Sequence, residues 1–90
     1  MDKRTERLRI TAVKNLLESG EFESIKDVFI YIPRSVVAEN IRVNNTRFKR
    51  MIDNVARFRF EELQRIAKFL GVDAQIIIDL VNNDLIKQGK

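Results

Sequence analysis

The stretch "VVAENIRVNNTRFKRMIDN", residues 36–54, decides how this chain is read. Val37 and Ile41 stand four apart with the small Ala38 between them, the spacing of one apolar helix face. Phe48 and Met51 stand three apart and make a second such face. Between the two lie only a few residues, among them Val43, which is apolar and suits the inside of a tight angle. Ala38 lets two helix axes approach closely. The pattern is that of two short helices joined by a turn, about 34–41 and 45–53, with Asn44 as N-cap of the second. The polar residues of the second helix then have separate places. Asn45, Thr46, Lys49 and Arg50 lie at its exposed front and Arg47 on its flank.

Outside this stretch the chain reads as helices between few breaks. Proline occurs once, at Pro33, and glycine three times. Residues 3–19 place Leu8, Ile10, Ala12, Val13, Leu16 and Leu17 at helical steps, with Gly20 as the stop. "ESIKDVFIYI", 23–32, is rich in strand formers towards its end, so a strand is an alternative there. A helix capped by Ser24 is preferred, because no second strand is available to pair with it. Pro33 suits the start of the next helix. "ARFRFEELQRIAKFLG", 56–71, predicts a helix from about 59 to 70, with Phe60, Leu63, Ile66, Ala67 and Leu70 inward and Gly71 as its stop. Asp73 caps a last helix from 74 to about 87. The expected fold is all-α, a bundle of five to six short helices.

Composition narrows the function. Ninety residues make one small domain. With no histidine and no cysteine, the usual general base, a thiolate metal site and a disulfide framework are all excluded. Glu61 and Glu62 form the one adjacent carboxylate pair near the basic region, and a first helical turn favours them there through the helix dipole. No nucleophile–base pair or metal cluster can be assembled, so neither an enzyme nor a cofactor is expected. No apolar run approaches membrane-spanning length and no signal peptide is evident, so a cytoplasmic chain is expected.

The charge is +4 and unevenly spread. Residues 34–68 hold nine basic and four acidic groups, a local excess of five, while residues 1–33 balance. A basic patch of this kind suits a polyanion, although a solvated face is the plainer alternative. Asparagine and arginine pair with adenine and guanine edges, and a threonine methyl meets that of thymine. Helix capping is the competing role for Asn45 and Thr46.

"VVAENIRVNNTRFKRMIDN" followed by "FEELQRIAKFLGVD", 60–73, resembles the lambda-repressor/Cro-like helix-turn-helix family, in one register from about Pro33 to Leu80. The block "LQRIAKFLGVD" is similar to that family's fourth helix. The resemblance implies a double-stranded DNA-binding regulator, bacterial or phage, with the helix 45–53 in the major groove. On that basis Asn45, Thr46, Arg47 and Lys49 are the base-facing candidates, and Arg34, Arg42, Arg50, Arg57 and Arg59 the phosphate-facing ones. The chain departs from the family where glycine is usual, at Arg42 in the turn and at Asn54. A left-handed Arg42 costs roughly 1 kcal/mol relative to glycine.

The resemblance makes residues 1–20 an added helix, 22–82 the DNA-binding core and 83–90 a C-terminal tail. Ile76, Ile77 and Ile78 in succession exceed what one core face needs. Ile76, Ile78, Leu85 and Ile86 therefore form a candidate homodimer surface, or a face that docks on the N-terminal helix. The rival reading is a helical protein–protein or antitoxin-like module whose groove is unused.

Overall fold

The computed structural model describes residues 2–88, and among them there are six α-helices and no strand. They are α1 (Lys3–Glu18), α2 (Val28–Tyr31), α3 (Arg34–Asn40), α4 (Asn45–Asp53), α5 (Phe60–Leu70) and α6 (Ala74–Gln88). Short 3-10 turns precede α2 at Ile25–Asp27 and α5 at Val55–Arg57. No helix of the described residues is long and apolar enough to cross a membrane.

Local signals set most boundaries. The Asp2 carboxylate accepts the Thr5 N–H at 2.8 Å and starts α1. Its pKa is lowered, first by that backbone hydrogen bond. Ser24 and Asp27 form a capping box over the first 3-10 turn, and the strand-rich "VFIYI" is helical, as preferred, over Val28–Tyr31, with Ile32 extended. Asn44 caps α4 by accepting the N–H groups of Thr46 and Arg47 at 2.8 and 3.4 Å. Asp73 accepts the Gln75 N–H at 2.8 Å ahead of α6.

Three helices end in one and the same way. After α1, the N–H groups of Gly20 and Glu21 return to the carbonyls of Leu17 and Leu16. After α5, those of Gly71 and Val72 return to Lys68 and Ala67. After α3, those of Arg42 and Val43 return to Glu39 and Ala38. Each is a Schellman closure, which needs a left-handed residue at its centre. Two of the closures use glycine, with φ 76° and 73°; the third uses Arg42 at φ 61°. The turn between α3 and α4 thus keeps the left-handed geometry and bears the strain of a side chain. Asn54 is extended instead, with φ −138°, so no left-handed residue follows α4.

One apolar core runs through all the longer helices. Val13 and Leu17 of α1 lie in it beside Val37 and Ala38 of α3, Phe48, Met51 and Ile52 of α4, and Ile66 and Leu70 of α5. Helix α1 is therefore packed into the same core as the other helices. Phe48 is fully buried, with Phe29 and Phe58 edge-on to it at 5.7 and 6.1 Å between ring centroids. The inward place expected of Phe60 is taken by Phe58, and Phe60 itself is 61% exposed in the first turn of α5.

Residues 83–88 are not a tail. They are the closing turns of α6, and they hold two other segments. Buried Asp84 accepts the Ile25 N–H at 2.8 Å, and Gln88 Oε1 accepts the Val55 N–H at 3.0 Å. Residues 89 and 90 of that expected tail lie outside the described residues. Ile76 and Ile78 are half-buried and packed on the core, and Leu85 and Ile86 are exposed.

Candidate functional site

Helix α4 divides its residues by period. Phe48, Met51 and Ile52 point into the core. Asn45, Thr46, Arg47, Lys49 and Arg50 are all exposed. With the inward side anchored by Phe48, the outward residues fall on two flanks, 45–46–49 and 47–50.

The first flank faces the start of α3. Arg34 and Ser35 join Asn45, Thr46 and Lys49 around an open groove of about 410 Å³. Pro33 sets this up, because it holds an extended backbone and its carbonyl begins α3, leaving Arg34 and Ser35 on the surface. Ser35 was not singled out from sequence; one serine at a helix start carries no signal of its own.

The second flank faces the segment that leads into α5. Arg47, Arg50, Arg57 and Arg59 line a cleft of about 390 Å³ whose apolar lining residue is buried Met51. The segment's own pattern puts the arginines there. Val55 is buried, Phe58 is half-buried against Phe48, and Arg57 and Arg59 fall between and after them, exposed. The Gln88 bond to Val55 N–H ties down the same segment.

One carboxylate organises this cleft. Glu62 is 3% exposed. Its Oε1 accepts the Arg59 N–H at 2.8 Å, which caps the start of α5. Its Oε2 pairs with Arg47 Nη1 at 3.1 Å. Arg59 has no side-chain acceptor with which to complete a capping box, so the Glu62 N–H turns to the Arg59 carbonyl at 3.0 Å. Sequence reasoning placed Glu62 at a helix start but missed the pair. The missing Ser or Thr at the cap position hid the first bond, and the chain separation between 47 and 62 hid the second.

Arg42 stands apart from both flanks. It lines a third groove of about 870 Å³ between α1 and α3, shared with Lys3, Glu6, Arg7 and Glu39. Its charge there has both signs around it. Arg65, counted in the basic excess, donates to the Ile41 carbonyl at 3.5 Å and so closes the end of α3. The nine candidate residues thus separate into a polar-cationic groove, an arginine cleft and one outlier.

Chemically, the two flanks offer charge-assisted donors on a rigid helix, the means of holding anionic oxygens. No family model, curated protein or solved structure matches the chain.

Proposed function

We propose that this protein binds double-stranded DNA as a small regulator of transcription, with a lambda-repressor-like helix-turn-helix formed by α3 and α4. The observation that carries the reading is α4 itself. Its outward positions 45, 46, 47, 49 and 50 are polar or cationic, the inward ones are locked in the core, and cationic residues flank it on both sides. In this reading α4 enters the major groove, Asn45, Thr46 and Lys49 meet base edges, and Arg34, Arg50, Arg57 and Arg59 grip phosphates. Arg42 contributes least, because its groove lies on the α1 side.

Titration of a random-sequence duplex at low and moderate salt tests this. Binding at low salt that falls linearly in log affinity with log salt supports it. Absence of binding at low salt, or no dependence on salt, refutes it. Selection from a random duplex pool then supplies the operator, which is expected to be palindromic if two copies bind.

A second reading rests on exposed apolar residues: Leu85 at 42% and Ile86 at 66% on α6, with Ile30 at 75% on α2. A helical protein–protein module, or a homodimer through Leu85 and Ile86, fits them. Charge reversal at Lys49 and Arg50 separates the two, since it abolishes duplex binding and leaves a protein partner bound.

A further inference from the structure

We infer that Arg47 is a phosphate-gripping side chain held in place by Glu62, and not a reader of bases. The inference rests on the DNA-binding reading above and assigns work within it. Arg47 is fastened at one end. Glu62 Oε2 holds its Nη1 at 3.1 Å, and the other oxygen of the same carboxylate is engaged by the Arg59 N–H. A carboxylate anchored at both oxygens and 3% exposed has little freedom to turn, so the guanidinium it holds is fixed against the start of α5. Arginine carries five N–H donors in a rigid fork, and this pair engages one of them. With 46% of its side chain exposed, Arg47 still presents donors to solvent.

The place it is fixed in decides what it meets. Arg47 lines the cleft with Arg50, Arg57 and Arg59, whereas Asn45, Thr46 and Lys49 line the other groove. Four guanidinium groups against one buried carboxylate leave a strongly cationic concavity. A phosphodiester, with its single charge and two free oxygens, matches this setting; base edges, which present neutral donors and acceptors, gain less from it. Glu62 is then a positioning residue. It keeps a long, charged side chain at the phosphate row and leaves base reading to the shorter neighbours and Lys49.

Three variants test this: Arg47→Gln, Glu62→Gln and the double variant, each first shown to be helical and folded. Affinities for the selected duplex and for a random-sequence duplex are measured across a salt series. Arg47→Gln is expected to weaken both duplexes by the same factor, about eightfold at 0.1 M salt, and to lower the salt slope by about 0.9, the share of one phosphate. It leaves the selected motif unchanged. Glu62→Gln keeps an acceptor for the Arg59 N–H but removes the charge that holds Arg47. Its expected signature is an altered preference at one base pair, and adding Arg47→Gln restores the parent preference. An Arg47→Gln variant that relaxes one base pair and keeps the parent slope overturns the inference. Unchanged preference in Glu62→Gln overturns the positioning role. If Glu62→Gln does not fold, the slope of Arg47→Gln alone decides. A parent protein that binds no duplex is a different result, since it removes the DNA-binding reading itself.

Discussion

Replacing Phe48 by leucine, and separately by alanine, measures how α4 is held. Phe48 is fully buried and meets Phe29 and Phe58 edge-on, at 87° and 85° between ring planes. Such pairs contribute about 0.5–1.5 kcal/mol each beyond area burial. Leucine keeps most of the apolar volume and loses both pairs, so Phe48→Leu is expected to cost about 1–3 kcal/mol. Alanine adds a cavity, and Phe→Ala changes in cores cost about 3–5 kcal/mol. A domain of this size has about 5–14 kcal/mol of stability in total, so the alanine variant comes close to unfolding. Thermal melts followed by circular dichroism read the difference, with each kcal/mol moving Tm by about 4–8 °C. The pairing is checked by a double-mutant cycle. Phe29→Leu combined with Phe48→Leu is expected to show a coupling of about 0.5–1.5 kcal/mol. A Phe48→Leu variant within about 0.5 kcal/mol of the parent, given errors of that order in additivity, refutes the aromatic account of how α4 is supported.

Other changes address single features. Arg42→Gly is expected to raise Tm by up to about 12 °C, because the left-handed strain of about 1–2 kcal/mol exceeds glycine's entropic cost of about 0.5–1 kcal/mol; a lower Tm contradicts the Schellman reading of this turn. Asp84→Ala strands the buried Ile25 N–H and is expected to cost about 1–3 kcal/mol in urea denaturation, while Asp84→Asn, which keeps an acceptor, costs less. Asp2 has a folded pKa below the ordinary 3.8, so the stability it lends to α1 is present above that value and is lost as pH falls through the lower folded pKa. Amide exchange at Thr5 is expected to accelerate, relative to the rest of α1, only in that acid range.

Much of the helical layout was legible because its signals are local. Ser24, Asn44, Asp73 and Gly71 act within a few residues of themselves, and each stands at the boundary its chemistry favours. The same holds for the core positions of α3 and α4, whose spacing needs no partner to be recognised. The misplacement of Phe60 shows the limit. "FRF" offers two phenylalanines at adjacent even steps, and only the tertiary position of Phe48 selects Phe58. The grouping of candidate residues was beyond sequence for the same reason. Arg47 belongs with Arg57 and Arg59 because Glu62 draws it there, and Arg42 leaves the group because its turn faces α1. The role of α6 was hidden too, since the partners of Asp84 and Gln88 are 59 and 33 residues away.

Those last two bonds tie α6 to both basic and apolar segments far from it in the chain. The segment that bears Arg57 and Arg59 is pinned at Val55 by a side chain near the end of α6, and the turn before α2 is pinned by another one helical turn earlier. The arginine-bearing segment thus takes part of its anchorage from the last turn of α6, and a change confined to that turn reaches the cleft through Val55.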